Sequence, residues 1–307
     1  MTTLAFISTA DPLARPGSIF SAENRLHLSV VLTLLLLLLY SHPYWYVNLP
    51  LSILAIASLI FPVLSTSRVT WAAVTAIIVL GSLENWYALD NHKYLLGYWC
   101  LALLCFFASK CDPTRLATTA RALIVLVFGF AVLQKTLSGD FLDSSFIHYE
   151  LLLDERFHGL ARYLGGVPDH LVELNVSARA ALVSFDSDLE AVALRSMRML
   201  EPVARAITWG TYGIELLIAL AFLSPRSGLL GKNRDVLLLS FLLTTYLLAP
   251  VIGFGWVLAI MGIAQTADDR VRTRGAYVAA FLLLQSYRVP WGEAWSAIAR
   301  MTQGGGA

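Results

Sequence analysis

Long apolar segments recur along almost the whole of this 307-residue chain. A run of about 20 apolar residues can cross the hydrocarbon core of a bilayer as a helix. Helices and closed barrels are the only spanning structures that satisfy every backbone hydrogen bond. We therefore predict an all-α fold, a polytopic bundle of transmembrane helices. The predicted spans are residues 26–44, 47–64, 69–87, 93–109, 117–137, 207–224, 236–264 and 275–291.

The composition agrees with lipid as the main solvent of the chain. Hydrophobic residues make up 57% of it and charged residues only 14%, whereas soluble domains carry about 25% charged residues. The formal net charge of +1 is far from the basic surplus that nucleic-acid binding requires, so we expect no nucleic-acid partner. Cys100, Cys105 and Cys111 lie in or beside one apolar stretch without metal or redox spacing, and no metal is predicted.

The longest apolar segment, 236–264, leaves the number of spans open between eight and nine. Pro250, Gly253 and Gly255 interrupt it, so it forms either one broken helix or a tight hairpin of two short helices. Only the hairpin places the loop with Arg270, Arg272 and Arg274 on the same side as the other basic loops. We therefore favour nine spans.

Basic residues orient the bundle, because Lys and Arg in short loops favour the cytoplasmic side. With the N-terminus inside, the short outer loops hold only Lys93, and the C-terminus of a nine-span chain lies outside. The other basic residues of the inner loops are Arg68, Lys110, Arg115, Arg121, Arg226, Lys232 and Arg234. Aromatic residues then form an outer interfacial belt: Tyr44, Trp45, Tyr46, Trp86, Tyr87 and Trp291.

Residues 138–205 form one long connection that the orientation places outside the membrane. Apolar residues recur in it at helical spacing between charged ones, first at 146–164 and again at 189–207. We predict an extracytoplasmic amphipathic helical cap, which is a candidate docking surface for a peptide or protein partner. The chain then divides into a cytoplasmic segment (1–25), spans one to five (26–137), the cap (138–205), spans six to nine (206–292) and a tail (293–307).

Ionisable residues in or beside the spans gather at one level. Such residues are functional candidates, because burying a charge in lipid is costly. All but one fall at the outer ends, together with the polar Asn91: Glu84, Asp90, His92, Lys135, Asp140, Asp143, Arg288 and Glu293. Glu215 stands apart, about ten residues into its predicted helix and therefore about 15 Å deep. The clustering predicts a polar pocket that opens outward, although each residue alone can also be an ordinary loop or interfacial side chain.

Several short elements resemble one membrane family. Asn91-His92-Lys93-Tyr94-Leu95 is similar to the Asn-His-x-Tyr-Leu element of the vitamin K-dependent gamma-carboxylase and its bacterial relatives with a horizontally transferred transmembrane domain. The stretches 131–135 and 139–142 resemble the family's Lys-Lys segment and Asp-Trp sequence, and 214–217 and 252–255 resemble its Glu-Leu pair and Ile-Gly-x-Phe turn. The resemblance runs from about residue 25 to 292 in the family's order.

The resemblance implies a reaction and roles for particular residues. Lys135 matches the base that deprotonates the reduced vitamin, and His92 matches a histidine that stabilises reacting species. We expect Asn91, Glu84, Asp140, Glu215 and Tyr246 to bind the substrate. Thr244, Thr245 and Tyr246 lie where the family usually has a histidine, and Gln134 replaces its first lysine. The large lumenal region that holds a protein substrate is missing, so a reduced quinone or a similar lipid-soluble molecule is the substrate or cofactor expected.

Two functions compete on these grounds. The first is an integral-membrane enzyme that uses a lysine base on a reduced quinone in the outward pocket. The second is a non-catalytic membrane partner: a scaffold, a peptide maturation or immunity factor, or a quinone-holding subunit. Transport is weaker, because the chain lacks a matching pair of Gly/Pro-broken helices in two halves.

Overall fold

The structure is a computed structural model that describes residues 24–39, 42, 44–84, 86–109, 112–184, 190–248 and 251–286. Its regular elements within these ranges are all helices, which confirms the all-α class. The bundle helices of the first half are α1 (Arg25–Leu39), α2 (Trp45–Ile60), the short α3 (Pro62–Ser65), α4 (Arg68–Glu84), α5 (Asn91–Ala108) and α6 (Pro113–Leu137). After them come α7 (Ser145–Leu153), α8 (His158–Tyr163), α9 (Asp169–Leu182), α10 (Leu200–Leu223), α11 (Leu229–Leu248), α12 (Ile252–Gln265) and α13 (Val271–Gln285).

Two of these helices are long and apolar enough to cross a membrane. They are α6, with 25 residues, and α10, with 24 residues. The helices α1, α2 and α12 are apolar but shorter, with 15, 16 and 14 residues. The number of membrane spans therefore stays a prediction.

The segment 236–264 contains two helices rather than one broken helix. Arg234, near the start of α11, hydrogen-bonds to the side chain of Gln265 at the end of α12, so the two helices run antiparallel. The two helices are also linked near the connection, where the Tyr246 hydroxyl donates to the Val251 carbonyl oxygen at 2.5 Å. Of the two alternatives, the structure has the hairpin.

A dry core holds the bundle together. Trp71 and Trp99 are fully buried, and each indole N–H has an acceptor: the Ser65 carbonyl oxygen at 2.8 Å and the Thr33 hydroxyl at 2.9 Å. A buried indole without such a partner would lose a hydrogen bond to water and gain nothing in return. These bonds tie α4 to the turn before it, and α5 to α1.

The cap region has a second apolar core of its own. It joins α7, α8 and α9 to the first turns of α10, which begins seven residues before the predicted span. Its buried residues include Phe141, Leu151, Ala161, Leu200 and Ala204. The start of α10 is therefore part of the cap, and the rest of this helix belongs to the bundle.

The prediction of a helical run from 189 to 207 is wrong over residues 190–199, which are not helical. Asn175 explains the difference. Its side-chain amide donates to the Arg195 carbonyl oxygen at 2.9 Å and accepts from the Arg195 backbone N–H at 2.8 Å. Both hydrogen bonds pin residue 195 to α9, and a residue whose backbone groups are used in this way cannot make helical ones.

Candidate functional site

The centre of the candidate site is an ion pair between α6 and α10, the two longest helices of the described residues. Lys135 lies in the last turn of α6, and its Nζ is 2.5 Å from Oε2 of Glu215 on α10. The pair is shielded from solvent, with side-chain exposures of 18% and 9%. Charges this close and this little hydrated are strongly coupled, because water does not screen them.

The prediction that Glu215 stands apart is therefore wrong. The predicted depth of about 15 Å assumed that the helix enters the membrane at residue 207. In the structure α10 begins at Leu200, and its first turns extend past the end of α6 and pack in the cap. Residue 215 is thereby brought level with Lys135. The pairing satisfies both charges at once, which neither side chain can do alone in an apolar environment.

Two further contacts define the surroundings of the pair. The Phe141 ring, buried in the cap core, lies 4.9 Å from Lys135 Nζ, at a distance typical of a cation–π contact. Next to it, the hydroxyls of Thr136 and Tyr212 are 3.0 Å apart and link α6 and α10 a second time. Sequence reasoning missed Thr136 and Tyr212, since neither is ionisable in the usual range.

His92 lies in the first turn of α5 beside a separate cavity of about 220 Å³. Its buried Nδ1 has no hydrogen-bond partner, and the Asp90 carboxylate is 4.0 Å away. A buried ring nitrogen left in this state can take up a hydrogen bond from a bound molecule. The cavity is lined by Leu36, Leu39, Asp90, His92, Lys93, Leu96, Ile252, Gly253, Trp256 and Val257.

Gly253 allows the His92 ring to take this position. A Cβ atom built on residue 253 would lie 2.5 Å from Cδ2 and Nε2 of His92, closer than carbon atoms approach one another. Two of the sequence elements that resemble the carboxylase family are residues 91–95, which contain His92, and residues 252–255. The structure brings these two elements into contact at the start of α5 and of α12.

The remaining predicted site residues take no part in the contact between His92 and Gly253. Tyr246 is buried, packs against Gly255 and uses its hydroxyl on Val251. Glu84 accepts a hydrogen bond from the exposed Tyr46, and Asn91 is exposed. Asp140 is exposed and accepts from Ser138 in the turn after α6. Arg288 and Glu293 lie outside the described residues, as does Cys111.

A histidine that sequence reasoning passed over lies at the same end of the bundle. This residue is His42, whose side chain is buried. Its Nε2 is 3.1 Å from the Gly81 carbonyl oxygen, and its Nδ1 accepts from the Tyr44 backbone N–H at 3.3 Å. This pattern places the proton on Nε2, and the residue joins α4 to the start of α2 rather than facing the cavity.

Carboxylates of the cap form a second polar cluster. Arg156 pairs with Asp154 and holds the pKa of that carboxyl below its usual value. Burial, followed by a hydrogen bond with Asp154, raises the pKa of Glu150. The cluster borders a cavity of about 420 Å³ lined by Tyr149, Glu150, Leu153, Asp154, Glu155, Arg156 and Arg179.

These opposite shifts predict a maximum in the stability of the cap with pH. The pKa of Asp154 is lower in the folded state, so its contribution is present above about pH 4 and is lost as the pH falls through the folded pKa. The pKa of Glu150 is higher in the folded state, so its contribution is lost as the pH rises through that value. The melting temperature should be measured between pH 3 and 8. Asp154→Asn should weaken its decrease towards acidic pH, and Glu150→Gln should weaken its decrease as the pH rises. An alkaline slope unchanged in Glu150→Gln would contradict this assignment.

Within the described part of the chain, no group of three or more His, Cys, Asp or Glu side chains is arranged to hold a metal ion. The polar groups near His92 and Lys135 are instead suited to hydrogen-bonding an uncharged or anionic oxygen. No protein-family model, curated protein or solved structure matches this chain.

Proposed function

We propose that this protein is an integral-membrane enzyme that deprotonates a reduced quinone or a similar lipid-soluble molecule with hydroxyl groups. The observation that carries the proposal is the buried Lys135–Glu215 pair, which joins the two helices long and apolar enough to cross a membrane. A lysine amine that is shielded from water can act as a general base in proton transfer.

Lipid access to the pair supports this substrate class. Leu133 and Leu137 flank Lys135 on α6 and are 50% and 77% exposed. Exposed leucines beside a shielded ion pair indicate an approach from the hydrocarbon rather than from water. Exposed rings of the predicted interfacial belt, including Trp45 at 72% and Trp86 at 67%, agree with a membrane boundary at this end of the bundle.

The pair supplies a base by internal proton transfer. When the proton on Lys135 Nζ passes to Glu215 Oε2 across 2.5 Å, a neutral amine and a neutral carboxylic acid remain. A low dielectric lowers the free-energy cost of reaching this neutral arrangement from the ion pair. The amine then accepts the hydroxyl proton of the quinol. Complete oxidation passes two electrons and two protons from the quinol to dioxygen, which yields the quinone and hydrogen peroxide.

His92 has a different part in this proposal. It lies against a cavity that Lys135 does not line, so the two residues contact different portions of a bound molecule or different reactants. The unpartnered Nδ1 is suited to a hydrogen bond with a quinol oxygen or a developing anion. The nine spans, the inside N-terminus and the outer position of the cap belong to the same proposal.

Turnover of variants tests the proposed function. The purified full chain, given a reduced short-chain naphthoquinone and oxygen, should consume oxygen and form the quinone. Lys135→Ala should lower the rate by about 100-fold, the typical contribution of a general base. His92→Ala should lower it by about the same factor, the typical cost of losing one hydrogen bond to a developing anion. Gln134→Ala is the control, because Gln134 is exposed and adjacent to the base. Full activity in both site variants would refute the site.

A non-catalytic membrane partner is the second candidate. The feature in its favour is that Lys135 and Glu215 satisfy each other, as a purely structural pair does. Exposed apolar residues of the cap, among them Tyr163 at 81% and Val183 at 70%, offer a surface for a peptide or protein. In that case polar substitutions at these two positions would abolish co-purification of the partner, and Lys135→Ala would leave function intact.

A further inference from the structure

Three arginines gather around the C-terminal end of α10, at the end of the bundle opposite the Lys135–Glu215 pair. Arg121 donates to the carbonyl oxygens of Phe222, Leu223 and Ser224 at 2.5, 3.0 and 2.9 Å. The Arg234 guanidinium lies 5.4 Å from the Phe222 ring centroid. Arg226 follows two residues after Ser224 and donates to the Gln265 carbonyl oxygen at 2.5 Å.

No carboxylate of the described residues forms an ion pair with any of the three. Asp235, next to Arg234 in the chain, instead accepts from Gln265 at 2.5 Å and from the Tyr277 hydroxyl at 3.0 Å. The carbonyl groups at the end of a helix carry about half a negative charge in total. With the ends of α10 and α12 and the Asp235 carboxylate, which attracts Arg234, about two negative charges face three guanidinium charges.

Arg234 is the member of the cluster with a buried hydrogen-bond donor that no protein group satisfies. It is 2% exposed, and its buried Nη1 has no hydrogen-bond partner in the protein. A buried charge ordinarily has a counter-charge, and a buried donor ordinarily has an acceptor. Arg234 is buried, Arg121 is partly exposed and Arg226 is exposed. The three side chains therefore extend from the surface of the protein to its interior.

We propose that Arg121, Arg226 and Arg234 form a binding site for a phosphate group, supplied by the headgroup of an anionic phospholipid. The planar fork of an arginine side chain matches two phosphate oxygens at once. The cluster lies at the ends of α6 and α10, where a membrane-spanning pair of helices would meet the headgroup layer. A lipid is therefore the source favoured over free phosphate. This site is independent of the proposed chemistry at Lys135.

Thermal unfolding of the purified full chain in detergent tests the site. Added phosphatidylglycerol should raise the melting temperature by about 4 °C over the same amount of phosphatidylcholine. Arg226→Gln, which changes an exposed side chain, should lose at least half of that shift. Arg115→Gln is the matched control, because Arg115 is a basic residue of α6 that already pairs with Asp112. It should keep the full shift.

Three outcomes would overturn the proposal. Equal shifts with the two lipids would show that no anion is selected. An equal loss in Arg115→Gln and Arg226→Gln would show attraction to net charge alone. Inorganic phosphate producing the same shift as the lipid would exclude the lipid as the specific source. If Arg226→Gln does not fold, counting of phosphatidylglycerol molecules on the wild-type chain by native mass spectrometry decides the matter, with one tightly retained lipid expected and none contradicting the site.

Discussion

Replacing Lys135 by methionine should lower the free energy of unfolding by about 3 kcal/mol, because the substitution leaves the Glu215 carboxylate buried without its counter-charge. Glu215→Met should cost a similar amount by stranding the ammonium group. Methionine keeps the length of both side chains, so lost packing contributes little. Denaturant or thermal unfolding of the purified chain in detergent measures the effect.

The double variant Lys135→Met/Glu215→Met should recover most of this loss. Two apolar side chains can replace a buried ion pair at little or no cost, because neither charge then has to be desolvated. The expected coupling energy between the two sites is about 3 kcal/mol or more. Gln134→Ala should stay within about 0.5 kcal/mol of wild type. A double variant as unstable as the sum of the single variants would show that the two groups do not interact.

Gly253→Ala should destabilise the protein by about 1–3 kcal/mol, because the new methyl group would lie 2.5 Å from the His92 ring. The ring must then move, and the cavity beside it changes shape. Turnover should fall along with stability. Gly129→Ala on α6 is the matched control: a Cβ there meets nothing within 4 Å, so alanine should be neutral or stabilising.

Removing the His92 ring separates the two consequences of this substitution. In Gly253→Ala/His92→Ala the clash is gone, so the loss of unfolding free energy should be smaller than the sum of the losses in the two single variants. Turnover should stay low, because the imidazole is missing. The contact would be disproved if Gly253→Ala were as stable as wild type, or if the two substitutions added independently.

The helices could be predicted from the sequence because apolar runs and their breaks are local signals. The segment 236–264 had two alternatives, and the basic residues of the loops favoured the hairpin, in agreement with the contact between Arg234 and Gln265. Lys135 and His92 could also be singled out, since ionisable residues beside apolar runs are rare. These inferences require only neighbouring residues.

Pairing across helices could not be predicted in the same way. The depth of Glu215 depends on where α10 begins and on how far it extends into the cap, which no local pattern records. The segment 190–199 keeps a helical spacing of apolar residues, yet two hydrogen bonds from the distant Asn175 hold it in another conformation. Tertiary contacts outweigh a local pattern in both cases.

The arginines show a different gap between sequence and structure. Their positions in the loops led to the predicted orientation, but a charge count does not reveal what each guanidinium binds. In the structure Arg121 and Arg226 bind carbonyl oxygens left open at the ends of α10 and α12. The residues from which the inner side of the membrane was predicted therefore also hold helix ends together.

Turnover of the Lys135→Met/Glu215→Met protein tests most directly whether the buried pair performs chemistry. This variant is expected to fold, so a loss of activity cannot be ascribed to unfolding once its melting temperature is near that of wild type. Our account predicts quinol-dependent oxygen consumption by the wild-type chain and none above background by the double variant. A folded double variant that oxidises the quinol at the wild-type rate would contradict the account and leave the pair with a structural role only.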